Sequence, residues 1–235
     1  MLGIAFTVAA AVAASAAGYQ TMAPQGQWYG RSFTGLKGKT KKIALTYDDG
    51  PNDPYTLQLM DVLAKHKVRA TFFLIGRFVN RRPNIVRDLA KAGHVLGNHT
   101  YTHAPLIFQT SVQVRIQLTS CRQAIEDAIG EHSNLFRPPY GGRRPAVFQI
   151  ARELGLEPVM WNAIGYDWLD TTTPQRIEHN VAKSIRGGDV VVLHDGSHKR
   201  LGTDRSKTVA ATDLLISRYK AEGYEFVTIP ELMKV

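Results

Sequence analysis

At 235 residues, the chain is long enough for one large domain with a full core; its 44% apolar and 21% charged residues are ordinary for a soluble globular protein and exclude a low-complexity chain. A net charge of +9 favours polyanionic surroundings, but no basic stripe interleaved with aromatics and no finger or RNP motif accompanies it, so nucleic acid is not read as a partner. The single cysteine, Cys121, excludes an internal disulfide and falls in a helical pattern, where burial as a small apolar residue is expected.

Leu2 to Ala17 is apolar or small apart from Thr7 and Ser15, and ends in Ala13-Ala14-Ser15-Ala16-Ala17, a small-residue run like a signal-peptidase site. It is short for a membrane span, and no Lys or Arg precedes it. Residues 1–17 are therefore read as a signal-like or membrane-anchor segment of an exported protein of the cell envelope or exterior, with an ordinary buried helix as the alternative. Residues 18–38, with Pro24 and several Gly and Gln, read as a linker or strap, and residues 39–235 as the folded domain.

From Lys41 a unit repeats: a short apolar run, a turn, an amphipathic run, then Gly or a turn. Strands are expected at 43–45, 70–75, 94–98, 134–137, 157–161, 189–193 and 224–228. Helices are expected between them, at 57–64, 83–90, 112–129, 145–154, 174–185 and 204–220, several stopped by Gly93, Gly130, Gly155 or Gly223. Such alternation means parallel strands with crossover helices. Asp48 and Asp49, His99, Arg137, Asp167 and His194 each follow a different strand. Nearly every strand thus contributes at its C-terminal end, which is the behaviour of a (β/α) barrel. Seven units are few for a regular eight, so a distorted or incomplete barrel of seven to eight parallel strands is expected.

Thr46-Tyr47-Asp48-Asp49-Gly50 places two carboxylates where an apolar strand leaves the core, and a cation must offset them. His99 and His103 lie four residues apart after another strand, on one face if the segment is helical, a spacing that suits two nitrogen ligands. Two His and one Asp would leave open positions on a catalytic metal, with Zn²⁺ the default and Co²⁺, Ni²⁺ or Fe²⁺ the other choices. Adjacent strand side chains point apart, so both aspartates reach one site only if the strand breaks, which Gly50-Pro51 makes plausible; one would ligate the metal and the other act as a base. The plain alternative is a pair of turn carboxylates capping a helix. Arg137-Pro138-Pro139-Tyr140-Gly141-Gly142 is a rigid strand exit, in which Arg137 can pair with a carboxylate and the Tyr140 N–H can hold an oxyanion. Trp161 and Trp168 flank Asp167 as a sugar-binding wall or as core, and His194 ends the most apolar strand as a general acid or a satisfied core residue.

Together and in this order, Thr46-Tyr47-Asp48-Asp49-Gly50, His99-Thr100-x-x-His103, Arg137-Pro138-Pro139-Tyr140, Asp167-Trp168 and Leu193-His194 resemble the NodB-homology polysaccharide deacetylases, carbohydrate esterase family 4. The resemblance runs from about Lys41 to the C-terminus, and Tyr47 for Phe and Val192 for Leu are its small departures. It implies a NodB-like distorted barrel and a divalent metal held by Asp49, His99 and His103. It further implies Asp48 as catalytic base, Thr100 as brace of the histidine loop, Arg137 orienting Asp48, and Asp167 engaging Arg137. The Tyr140 backbone would hold the oxyanion, Tyr140, Trp168 and Leu193 would contact the substrate, and His194 would protonate the leaving amine.

The implied reaction is hydrolysis of N-acetyl groups on N-acetylglucosamine-type residues of a polysaccharide. Alternatives are an O-acetyl esterase of the xylan type, a non-haem iron oxygenase, and a non-catalytic wall-binding module. The loops Ala104–Thr110 and Ser197–Thr203 are expected to select the polymer.

Overall fold

The computed structural model describes residues 14–36, 38 and 40–235. Most of the expected signal-like or anchor segment lies outside the described residues; residues 14–22 are helical (α1). Among the described residues no helix is long and apolar enough to cross a membrane.

The strands are β1 (Lys42–Gly50), β2 (Thr71–Leu74), β3 (Val95–Asn98), β4 (Leu135–Phe136), β5 (Glu157–Pro158), β6 (Ala163–Ile164), β7 (Asp189–His194) and β8 (Glu225–Phe226). The helices are α2 (Tyr55–Lys65), α3 (Gly76–Val79), α4 (Pro83–Lys91), α5 (Ser111–Ile129), α6 (Pro145–Glu153), α7 (Pro174–Ala182), α8 (Ser206–Ala221) and α9 (Ile229–Met233). Strands lie in the order β5-β4-β3-β2-β1-β7-β6, with β8 beside the start of β1, and each pairing is parallel. This is the expected incomplete barrel, with eight strands for the seven read from sequence. The additional strand is β6, two residues long. The expected strand 157–161 pairs only at Glu157–Pro158, which leaves Trp161 beyond it.

The period of two along β1 decides what faces where. Ile43, Leu45 and Tyr47 pack with Leu59 and Leu63 of α2 and Leu215 and Ile216 of α8. Ala44 packs inside with Phe73, Val190 and Ile229. Thr46 and Asp48 therefore share the inner face. β7, in register from Ile43↔Asp189 to Asp48↔His194, carries the same alternation, so Val192 and His194 face inward and Leu193 joins the outer cluster.

Residues 33–36 and Gly38 join the end of β5 to the foot of β7. Phe33 pairs with Val159, its N–H donating to Pro158 O and its O accepting from Met160 N. Leu36 and Gly38 then bond the carbonyls of Gly188 and Gly187 at the foot of β7.

Candidate active site

Asp48 and Asp49 reach one site because β1 bulges rather than ends. Asp48 pairs with Phe73 and Gly50 with Leu74, so Asp49 is the extra residue, in the left-handed region at φ 74°. Close backbone contact holds the kink: a Cβ on Gly196 would lie 2.2 Å from Asp49 O.

The histidine pair is not helical. Thr100 and His103 both have positive φ (66° and 63°), which folds the chain into a tight turn after β3. Asn98 Oδ1 accepts from Thr100 N (2.9 Å), and Thr100 Oγ1 accepts from His103 N (3.0 Å), so Thr100 braces the loop. His99 Nδ1–H donates to Arg137 O (2.8 Å), which leaves the Nε2 lone pair toward the aspartates. Asp49 Oδ1 lies 3.2 Å from His103 Nε2 and 3.6 Å from His99 Nε2.

This set fits a metal ion. Asp49 Oδ1 is buried and has no hydrogen-bond partner among the described residues, and one donor atom from each of the three residues lies within 4.8 Å of the others. Bonds of about 2.0–2.2 Å to one ion would set neighbouring donors roughly 3–3.5 Å apart. Protonation states agree. Burial pushes the His103 pKa down to about 3, so its ring is neutral and free to ligate. Burial works against ionisation of Asp49, but the His198 side chain and the charges of the nearby histidines outweigh it and hold the group well below the usual carboxylate range.

Asp48 has a different environment. Its Oδ1 accepts from Arg137 Nη1 (2.7 Å), while Oδ2 stands 3.8 Å from His99 Nε2. Arg137 is fully buried and held by Thr46 Oγ1, Val159 O and Met160 O, with the Phe73 ring 4.1 Å away. Burial lowers its pKa and Asp48 supports its charge.

Asp167 does not engage Arg137, contrary to the expectation. Its Oδ1 accepts from His194 Nδ1 (2.8 Å), and its Oδ2 from His194 N (2.7 Å) and Thr208 Oγ1 (2.8 Å). β6 ends three residues before Asp167, alongside β7, whereas Arg137 leaves β4 further round the sheet. Burial opposes a charged His194, yet Asp167 outweighs it and raises the pKa to about 9. The ring is thereby protonated at neutral pH, with Nε2 free of Asp167.

Asp48, Asp49, His99, His103, Tyr140, Trp168 and His194 line one open cleft of about 930 Å³, within the size range of ligand sites. Thr100, Arg137 and Asp167 lie buried in support. Leu193 is a correction: it is 0% exposed in the outer core, and Val192, on the alternate face of β7, lines the cleft.

His198 carried no motif and escaped the sequence reading, although it lies in the loop 197–203 expected to select the polymer. Its N–H donates to Asp49 Oδ2 (3.2 Å), its ring stacks on His103 (4.5 Å, 11°), and Nε2 is 3.3 Å from Tyr140 Oη. Asp195 was also missed. Burial raises it to about 7, and Gly50 is glycine because a Cβ there would strike the Asp195 carboxylate.

Comparison with known proteins matches the polysaccharide deacetylase family over residues 35–159. The chain belongs to the polysaccharide deacetylase family. A peptidoglycan-N-acetylglucosamine deacetylase of Bacillus cereus is 39% identical over 83% of this chain and 89% of its own. A chitooligosaccharide deacetylase of a Bradyrhizobium species is 34% identical over 86% and 94%. Some longer relatives are matched over 40% of their length. The crystal structure of the Bc1960 peptidoglycan N-acetylglucosamine deacetylase, bound to an N-oxidanyl-benzamide, superposes with a TM-score of 0.80 at 32% identity, over 86% of this chain and 91% of that one. The fold is thus the distorted barrel of carbohydrate esterase family 4.

Proposed function

We propose that this protein is a metal-dependent hydrolase that removes N-acetyl groups from N-acetylglucosamine-type residues of a polysaccharide in the bacterial cell envelope. The observation that carries the reading is the division of labour between adjacent aspartates. Asp49 presents an unpartnered oxygen to the imidazoles of His99 and His103, and Asp48 is tied instead to a buried arginine.

Asp49, His99 and His103 would hold one divalent ion, with Zn²⁺ the first choice and Co²⁺ or Ni²⁺ next. When bound, such an ion lowers the pKa of water and polarises a carbonyl. Asp48 takes the proton of the attacking water through Oδ2, since Oδ1 is committed to Arg137. The Tyr140 N–H has no backbone partner among the described residues and donates to the oxygen on which charge develops. His194, protonated and fixed by Asp167, gives its proton to the leaving nitrogen. Water and the acetamide become acetate and a free amine. Trp168, 42% exposed beside His194 (5.2 Å), offers its face to a sugar ring.

Support for an amino-sugar substrate comes from the relatives, whose names specify peptidoglycan or chitooligosaccharide. The net charge of +9 and the signal-like start suit an anionic envelope.

The test is acetate release from N-acetylglucosamine oligomers and from peptidoglycan, using metal-stripped protein with and without Zn²⁺. Release should require the metal. Asp48→Asn should keep its zinc by elemental analysis and lose about 10²- to 10⁴-fold in kcat. Near-normal turnover in that variant would remove Asp48 as base. Release from acetylated xylan alone would make the enzyme an O-deacetylase.

A further inference from the structure

Residues 19–34 precede the family match, which begins at 35, yet they are bonded to the turn that presents Tyr140. The backbone N–H of Arg143 donates to Thr21 O (3.0 Å). Its guanidinium is buried and rests on carbonyls. Nη1 donates to Gly141 O (2.8 Å), and Nη2 donates to Gly26 O (3.0 Å) and Ala23 O. Gln25 Nε2 also donates to Trp161 O (2.9 Å), at the cleft wall. Burial disfavours the charged form of Arg143, and no salt bridge to a carboxylate offsets it among the described residues. A side chain this long and this costly to bury would turn to solvent unless those carbonyls were arranged to receive it.

What the arrangement holds is a strained turn. Tyr140 has φ 58° and ψ 9°, and Gly141 follows at φ 69°. For a residue with a side chain, this left-handed conformation is disfavoured, and it persists where the surroundings fix it. Inside the turn, Gly141 N donates to Pro138 O and Gly142 N to Pro139 O, both at 3.0 Å. From outside, one nitrogen of Arg143 grips the Gly141 carbonyl and the other grips residues 23 and 26.

We propose that residues 19–34 are a working part of the catalytic unit, and that Arg143 is a positioning residue that sets the direction of the Tyr140 N–H by clamping this strap to the Tyr140 turn. The inference rests on the deacetylase reading above, in which that N–H meets the developing oxyanion. Loss of the clamp lets the donor wander while the cleft, the acid, the base and the metal ligands stay in place.

Two variants of the full-length, zinc-loaded chain test it. Arg143→Met removes the grip. Gly26→Ala keeps the arginine but puts a Cβ 2.7 Å from its Nη2. On an oligomer that the wild type deacetylates, both should lower kcat about 10- to 100-fold with KM changed less than about threefold, since one oxyanion donor is worth about 10²–10³ and is here displaced rather than lost. Zinc content should stay at the wild-type level, and Arg143→Lys should recover part of kcat. Hydrogen exchange across residues 138–143, read without turnover, should speed up at least about tenfold in both variants. A lowered melting temperature with kcat within twofold of wild type would overturn the proposal, as would a kcat loss that follows loss of zinc. If Arg143→Met does not fold, Gly26→Ala decides. If the wild type deacetylates no glycan, the deacetylase reading fails separately, and unchanged exchange in Gly26→Ala would still refute the clamp.

Discussion

With Asp167 Oδ1 2.8 Å from its Nδ1, the imidazole of His194 keeps its proton to about pH 9, although burial by itself would lower its pKa. A group whose folded pKa is raised contributes stability that is full below its unfolded value, about 6.5, and is lost as pH rises through 9. In the mechanism we propose the same sign governs catalysis, because the acid form of His194 is the working one. Activity should hold through neutral pH and fall on an alkaline limb. Asp167→Asn removes the supporting charge, so the limb should move toward pH 6.5 and turnover at pH 8 should drop at least about tenfold. A pH–kcat profile checks this; an unmoved alkaline limb would assign it to another group. At this scale the site was partly legible. The residue types at Asp48, Asp49, His99, His103 and His194 carry their chemistry in the sequence. The partner of Asp167 does not, since contacts between strand ends depend on strand order. Nor does the side of β7 that Leu193 faces, which only the register with β1 determines.

Helices were easier to read than strands, for a local reason. α5 opens on a capping box in which Thr110 Oγ1 accepts from Gln113 N and Gln113 Oε1 accepts from Thr110 N, and it closes on Gly130 at φ 77°. Both signals are written within a few residues of sequence. β4, β5, β6 and β8 are two residues each, too short for a periodicity, and their pairing is settled by distant neighbours. β6 illustrates it. Ala163–Ile164 becomes a strand because Val191 and Val192 of β7 offer an open edge beside it. The cap gives a prediction for the element. Thr110→Ala should cost about 1 kcal/mol, a fall in melting temperature of about 2–4 °C for a domain of this size, with kcat unchanged. Denaturant unfolding should show the midpoint moving at constant slope. A larger loss with lower kcat would mean that α5 and the adjoining histidine loop, joined by Gln117 and Thr102, act as one unit.

Across the whole molecule, the three proposed ligand residues come from remote parts of the chain. Asp49 is the bulged residue near the end of β1, and His99 and His103 follow β3, two strands away across β2. An ion bound there is a cross-link between strand ends, and it also relieves two buried carboxylates set side by side. Whatever binds the folded chain and not the unfolded one adds about 2.7 kcal/mol at a hundred times its dissociation constant. For about 200 residues that is a rise in melting temperature of about 5–10 °C. Adding Zn²⁺ to metal-stripped protein should produce this rise in a thermal scan, and a chelator should reverse it. His103→Ala should abolish the shift, because the remaining pair cannot hold the ion. Asp48→Asn should retain it, because Asp48 Oδ1 is held by Arg137 and its Oδ2 is assigned to the attacking water rather than to the ion. A shift lost in both variants would place Asp48 among the ligands, and the separation of base from ligand along Asp48-Asp49 would have to be given up.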